Sequence, residues 1–498
     1  MTLVVALPIL IPLLTGTVCL LCWGRVGLQR IISVLSGVAT LVVALTLVLH
    51  VRGAGILVSM MGNWPPPFGI ALVADLLSTI MVALSAVMGL TVLLYSFGDI
   101  DRRREQLGYY PLFHLLLMGI NGSFLTGDLF NLFVFFEVML IASYVLLSLG
   151  GEPGQLQESF KYLVLNLLAS TVFVASVGIL YGVTGTLNMA DLALKIAQVE
   201  LTGLMTALSM LFLFVFGAKA AIFPLFFWLP DSYPEPPTAV SAIFGGLLTK
   251  VGVYALIRTF TLLFVQDIDF THTLILVLAA LTMIIGVLGA IVQNHFKRIL
   301  SYHIISQIGY MILGLGFYTP LALAGSIFYI IHHITVKTAL FLISGITERA
   351  TGTQQLQAMG GLLNAYPLVA TLFMLAALSL AGMPPLSGFF AKLALLTAGV
   401  REAQYVYVGV ALLGSLLTLV SMSKIYVYVF WGEEKPKRER AVRHADLLLP
   451  TAFLVLITVS LGLIGEPVFQ LTQQAAAQLF AKETYIEAVF AAVQGAKR

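Results

Sequence analysis

Apolar runs of about 20 residues recur along this chain from end to end, and that recurrence restricts its fold more than any other feature. As a helix, a run of that length crosses a hydrocarbon core of ~30 Å. Fourteen such runs lie near 3–23, 30–50, 70–97, 111–127, 129–150, 157–183, 203–229, 236–262, 272–293, 297–317, 321–347, 366–399, 403–431 and 448–468. Short Gly- and Pro-punctuated connections separate most of them, as at Trp64-Pro65-Pro66-Pro67. Only 10% of residues are charged, against about 25% in a soluble domain, and mean hydropathy is +1.01. The expectation is an all-α polytopic membrane protein of about 14 transmembrane helices. MTLVVALPILIPLL lacks a basic region and a small-residue cleavage site, so it reads as the first span rather than a signal peptide. Cys19 and Cys22 fall inside that span without a second ligand pair, which argues against zinc or an iron–sulfur cluster. Residues from about Phe469 onward show helical periodicity and are expected to lie along the membrane surface.

Lysine and arginine set the orientation. Of the 26, fourteen fall in odd-numbered loops, among them Arg102, Arg103, Arg104, Lys297 and Arg298. Seven fall in even-numbered loops and tails, Arg258 and Arg401 among them. Odd loops are therefore expected in the cytoplasm, with both termini outside. The remaining five are Lys219, Lys250, Lys337, Lys392 and Lys424, and all are lysines within spans. Arginine keeps its charge, whereas a buried lysine can shift its pKa and release its proton.

Lys219 sits in FGAKAAIFPLFFWLPDSYPEPPTAV, between Gly217 and Pro224. A charge at bilayer depth costs about 2.5–3.5 kcal/mol on insertion scales. Irregular backbone at that depth is tolerated only inside protein or beside a wet cavity. A broken apolar helix with a lone lysine thus points to an ion pathway. The alternative, a side chain that snorkels to the surface, is opposed by about ten apolar residues on each side. Glu137 is the one carboxylate deep within a span; it reads as an ion-pathway group or as a protonated, hydrogen-bonded structural acid. Asp75 and Asp128 lie near helix ends and read as caps.

Lys250 in the eighth span, His303, Ser306 and Gln307 in the tenth, His332, His333 and Lys337 in the eleventh, and Lys392 in the twelfth add to a polar string near mid-depth. Histidine titrates near neutral pH and passes a proton between its two nitrogens. His332 and His333 point about 100° apart on a helix, so one of the two is expected to face the string. Lys337 is rotated about 140° from His332 unless the helix breaks near Thr335. Lys424 lies near a helix end, where snorkelling and function are equally good readings. No P-loop, H-E-x-x-H, G-x-S-x-G or dinucleotide fingerprint is present, so neither a catalytic site nor a cofactor is expected.

The fourth to eighth and ninth to thirteenth spans form two sets of five. An odd number makes a second copy enter the membrane from the opposite face, as in an inverted repeat. Pro224-Leu225-Phe226-Phe227 in the seventh span parallels Pro385-Leu386-Ser387-Gly388-Phe389-Phe390 in the twelfth, and both of these spans are expected to be broken. The expected divisions are 1–110, the repeats 111–262 and 272–431, and 432–498 with the basic loop, last span and external tail.

The glutamate in FFEVMLIASYVLL, Gly217-Ala218-Lys219 with its proline, WLPD…PPTAV, and the lysines Lys250 and Lys392 give the chain a family resemblance. It resembles the antiporter-like subunits shared by Mrp-type cation/proton antiporters, respiratory complex I and membrane-bound hydrogenases, and among these most the D subunits of Mrp-type Na⁺/H⁺ antiporters. The resemblance covers nearly the whole chain. It implies a proton-translocating subunit of a hetero-oligomeric Na⁺/H⁺ antiporter in a prokaryotic cell membrane, with other antiporter subunits as partners. It implies that Glu137 and Lys219 form the ion pair of the first half-channel, and that Lys250, His332 and Lys392 carry protons laterally to the second. The alternative is the proton-pumping subunit of a redox-driven complex. Phe227 stands before Trp228 where complex I relatives usually carry a histidine, which favours the antiporter. No sodium-ligand cluster is apparent.

Overall fold

The computed structural model describes residues 2–433 and 445–496. Helices dominate: α1 (Thr2–Leu21), α2 (Val26–Ala54), α3 (Leu76–Asp99), α4 (Tyr109–Leu125), α5 (Leu129–Ser148), α6 (Pro153–Thr184), α7 (Thr202–Ala220), α8 (Thr238–Leu262), α9 (Ile268–Val292), α10 (Phe296–Phe317), α11 (Pro320–Thr351), α12 (Pro367–Ala381), α13 (Ser387–Arg401), α14 (Tyr405–Trp431), α15 (Ala445–Leu463), α16 (Glu466–Phe480) and α17 (Lys482–Ala496). One small hairpin, β1 (Leu57–Met60) with β2 (Ala71–Ala74), pairs antiparallel between α2 and α3.

Twelve helices among the described residues are long and apolar enough to cross a membrane, rather than the fourteen expected. The difference has two local causes. The fourth run forms a helix of only 17 residues. The twelfth run is interrupted at Gly382-Met383-Pro384-Pro385, leaving α12 and α13 with 15 residues each. The seventh run breaks as well. Ala221 ends α7 in the left-handed region (φ 62), and Pro224 cannot donate to a continuing ladder.

Two sets of contacts match across the chain. Asp128 caps α5 and pairs with Asn188 beyond α6, and His295 caps α10 and pairs with Gln355 beyond α11. The turns after α6 and α11 both read Thr-Gly-Thr, with Gly185 and Gly352 as left-handed C-caps. Thr184 and Thr351 each bond backward to a helix carbonyl and forward to the carbonyl two residues on. Gly119 lets α4 approach α5 so closely that a Cβ there would lie 2.6 Å from Met139 N; Gly286 brings α9 as close to α10, 2.3 Å from Ser306 N. The same interval of sequence separates each residue of the first set from its counterpart in the second.

Two regions depart from expectation, and a third lies outside the described residues. The tail does not lie free along a membrane surface. Thr472, Ala475, Ala476 and Leu479 are buried as α16 packs on α3, α8 and α11, and Gln478 accepts from Leu76 N at 3.0 Å. Arg258 is no loop residue: it is buried in α8, 2.5 Å from the Asp75 carboxylate that caps α3. Lys435, Lys437, Arg438, Arg440 and Arg443, with Lys497 and Arg498, enter the count of charges between loops but lie outside the described residues.

Candidate functional site

α5, α6 and α7 bring the first expected pair together, but not in direct contact. Lys219 is buried near the broken end of α7. Its Nζ donates to Ser170 Oγ at 2.8 Å and to Asn166 O at 3.3 Å, both on α6. Ser170 in turn donates to Glu137 on α5. Among the described residues Glu137 and Lys219 come no closer than this serine bridge allows; no ion pair joins them. Glu137 is only half-buried and lies at the lateral edge of the chain.

α8 lies directly against this break, since a Cβ on Gly252 would fall 2.5 Å from Ala220 N. One turn of π-helix, Phe244–Leu248, loosens the ladder of α8 and turns the Gly245 carbonyl toward Lys250, whose Nζ donates to it at 2.6 Å. Lys250 and Lys337 are both fully buried.

α11 does not break near Thr335; it is continuous over 32 residues. Lys337 therefore points to α10, where its Nζ donates to Leu300 O at 3.2 Å. Both histidines of α11 are fully buried and face different neighbours. His333 lies within electrostatic reach of Lys250, Lys337 and His303, and neither of its ring nitrogens has a partner among the described residues. His332 meets Ser387 Oγ through Nδ1 at 2.8 Å, and Ser387 meets Ser379 at 3.1 Å across the α12–α13 break. Polar neighbours thus lie on two sides of α11, with Lys250, Lys337 and His303 toward His333 and Ser387 toward His332.

Lys392 occupies the second break. Its Nζ donates to the carbonyls of Leu380 (3.1 Å) and Ala381 (3.0 Å), at the buried C-terminal end of α12, and lies 4.8 Å from the Tyr310 ring centroid. The end of a helix dipole and an aromatic face both favour a cation. On α10, His303 meets Ser421 at 2.9 Å and Gln307 accepts from Tyr329. Ser306 does not join them; its hydroxyl donates to Met283 O on α9. Lys424 neither snorkels nor joins the string, because its Nζ caps the carbonyls of Ile291 and Gln293 at the end of α9.

Sequence reasoning passed over Tyr162, Asn166, Ser170 and Ser387. The signal for the first three was their spacing of four residues, which puts them on one face of α6. The same face begins at Glu158, on a polar cleft of about 400 Å³ between the start of α6, the turn after α7 and the α9–α10 turn. Glu158 pairs with Lys161 at 2.6 Å, and Asp231 with Arg298 at 2.5 Å. Burial and the nearby Glu158 charge raise the Glu235 carboxyl above the usual range. Burial, reinforced by Lys297, pulls the His295 imidazole down to about 4, so it is neutral at pH 7.

Fold and site together define a polytopic helical membrane protein with ionisable side chains strung across its interior between two broken helices. The chain belongs to the family described as NADH:quinone oxidoreductase/Mrp antiporter transmembrane proteins, whose profile matches residues 126–418. It is 54% identical over 486 residues to the D subunit of the Na(+)/H(+) antiporter of Alkalihalophilus pseudofirmus, covering 97% of this chain and 99% of that protein. Its fold matches a chain of the Mrp complex from Dietzia sp. DQ12-45-1b with a TM-score of 0.92 and 35% identity, over 98% of this chain and 100% of that one. A chain of the membrane-bound sulfane sulfur reductase, an archaeal respiratory complex, matches with a TM-score of 0.90 and 28% identity over 98% and 99%.

Proposed function

We propose that this chain is the proton-translocating subunit of a multisubunit Na⁺/H⁺ antiporter, embedded in a bacterial cell membrane beside other antiporter subunits. The observation that carries the reading is the series from the half-buried Glu137 through the buried Ser170, Lys219, Lys250, His333, Lys337 and His332 to Lys392. Each member is held by a neighbouring helix or lies within electrostatic reach of the next. Glu137 marks one end at the chain's edge, where a half-buried carboxylate at bilayer depth calls for a neighbouring subunit to cover it. A redox-driven pump would use similar groups. The antiporter is preferred because its relative is 54% identical, against 28% for the respiratory complex.

In this reading α12 and α13 act as one broken crossing and α4 as a full one, so the chain crosses fourteen times with both termini outside. The matched contacts of α4–α6 and α9–α11 support two inverted repeats over 111–262 and 272–431, flanked by 1–110 and 432–498. Thiols at Glu152→Cys and Lys482→Cys should label from opposite sides with an impermeant reagent, and labelling from one side would overturn the topology. The function is tested with the purified complex in liposomes. A sodium pulse should dissipate a preformed proton gradient, whereas this chain alone should not respond. Vigorous exchange by the single chain, or co-purification with iron–sulfur subunits, would overturn the assignment.

A further inference from the structure

A basic cleft of about 370 Å³ lies where α1 turns into α2 and α3 turns toward α4. No residue of the ionisable string lines it. Its walls include Arg25, Val26, Gly27, Arg30, Arg102 and Glu105. Two of these are fixed against each other. Glu105 Oε1 accepts from Arg30 Nε at 2.9 Å, from Arg30 Nη2 at 2.7 Å and from Tyr110 OH at 2.5 Å. The Arg30 guanidinium also packs 5.2 Å from the Phe97 ring centroid. Gln29 holds the α1–α2 turn by donating to Cys19 O at 2.8 Å and to Cys22 O at 3.3 Å. Arg25 and Arg102 are exposed, and among the described residues neither has an acid within ion-pair distance. Three guanidiniums thus face one carboxylate, which Arg30 and Tyr110 already occupy, and the cleft keeps unanswered positive charge. No side chain caps the first turn of α2, and the positive end of that helix adds to the same field.

The surface beside the cleft is apolar. α2 turns Ser33, Ser36 and Thr40 inward and leaves Leu28, Ile31, Leu35 and Val38 exposed. Their intervals of three and four residues place them in one stripe. From Leu28 to Val38 the stripe runs about 15 Å at ~1.5 Å per residue, half of a ~30 Å core and so one leaflet. Trp23, in the α1–α2 turn, is exposed and rests on Gly108, where a Cβ would fall 3.1 Å from the indole. Tryptophan at the end of a span sits at headgroup level. Cleft, indole and stripe follow one another as the phosphate, glycerol and chains of a phospholipid do. An apolar stripe alone fits any apolar partner, whereas the arginines above this one select a lipid with an anionic headgroup.

We propose that this cleft binds the headgroup phosphate of an anionic glycerophospholipid, with Arg25 and Arg102 as its ligands, Arg30 as a fixed wall and the acyl chains along the stripe from Leu28 to Val38. Guanidinium forks match phosphate oxygens in pairs. In the topology given above the cleft faces the cytoplasm, where anionic headgroups attract basic clusters at the ends of spans.

The test reconstitutes the assembled complex in phosphatidylcholine vesicles that contain brominated phosphatidylglycerol or, at the same mole fraction, brominated phosphatidylcholine. Quenching of Trp23 is read as the difference from Trp23→Phe. An arginine near the membrane surface favours anionic lipid roughly fivefold, so the two unpaired arginines should give phosphatidylglycerol a preference of about twentyfold. Arg25→Gln and Arg102→Gln should each lower the preference about fivefold, and together bring it close to one. Arg103→Gln, on the same short helix but outside the cleft, should leave it unchanged. Equal quenching by the two lipids in the wild-type complex overturns the site, as does a preference that survives the double substitution. An equal loss in Arg103→Gln overturns it in favour of diffuse surface charge. Loss of the preference on adding inorganic phosphate at constant ionic strength overturns it in favour of a free anion. A Trp23 shielded from both lipids overturns it in favour of a neighbouring subunit.

Discussion

Glu137 and Lys219 meet through a hydroxyl. Ser170 Oγ accepts a hydrogen bond from the Lys219 ammonium at 2.8 Å and donates one to the Glu137 carboxylate, so a serine on α6 separates an acid on α5 from a base on α7. Direct contact would lock the two charges together. The intervening hydroxyl is the one hydrogen-bonded link between the two side chains among the described residues.

Ser170→Ala should therefore separate the pair without removing either charge. Hydrogen bonds to charged groups contribute about 1.5–3 kcal/mol, and ~1.4 kcal/mol is tenfold, so transport by the assembled complex should fall about tenfold or more. Ser170→Thr keeps the hydroxyl and should retain most of the rate. Exchange assayed in inverted vesicles checks both, and full activity in Ser170→Ala would show that the bridge is dispensable.

The pair should also be non-additive in stability. Removing one partner leaves the other charge uncompensated, while removing both can be nearly neutral. Glu137→Gln should lower the melting temperature of the solubilised complex more than Glu137→Gln with Lys219→Met, and none of these variants should transport. A double-mutant cycle measures the coupling. Additive losses would mean that the serine transmits nothing.

Lys392→Ala removes the donor that caps the carbonyls of Leu380 and Ala381 at the α12 break. Transport should fall at least about a hundredfold while the complex still assembles. Lys392→Arg should not restore it. A Cβ on Gly382 would lie 2.9 Å from Lys392 Cδ, so the site is tight, and arginine does not release its proton. Transport by the arginine variant would exclude deprotonation at this position.

Asp128, in the turn between α4 and α5, gives a prediction in pH. Burial lifts its carboxyl to about 6, from about 3.9 in an unfolded chain. The folded state holds the proton more tightly, so this stability is fully present below about pH 4 and is lost as pH rises through about 6. Asp128→Asn keeps an oxygen to cap Asn131 N but does not titrate. Between pH 4 and 7 the variant should gain up to about 3 kcal/mol relative to wild type, at ~1.36 kcal/mol per pKa unit. Thermal unfolding across that range checks it, and a constant difference between the two proteins would show that burial does not shift this group.

Twelve of the fourteen expected spans, the two helix breaks and most of the buried ionisable residues were legible in the sequence. A lysine amid twenty apolar residues is costly wherever the chain turns, so Lys219, Lys250, Lys337 and Lys392 were conspicuous before any contact was known. The caps at Asp75 and Asp128 were legible for a similar reason, since capping depends only on neighbours in sequence. Tertiary structure decided who meets whom. Ser170 and Asn166 are unremarkable in a helix, and only the approach of α5 and α7 from either side turns them into a bridge. His332 and His333 both met polar neighbours because such neighbours lie on two sides of α11, which the rotation of a single helix does not reveal. Lys424 became a cap because the end of α9 happens to lie beneath it, and the tail folded inward because α3, α8 and α11 offered it an apolar bed. Hydrophobic length and helix breaks are local properties of the chain, whereas the direction of each buried side chain is set by which helices pack together.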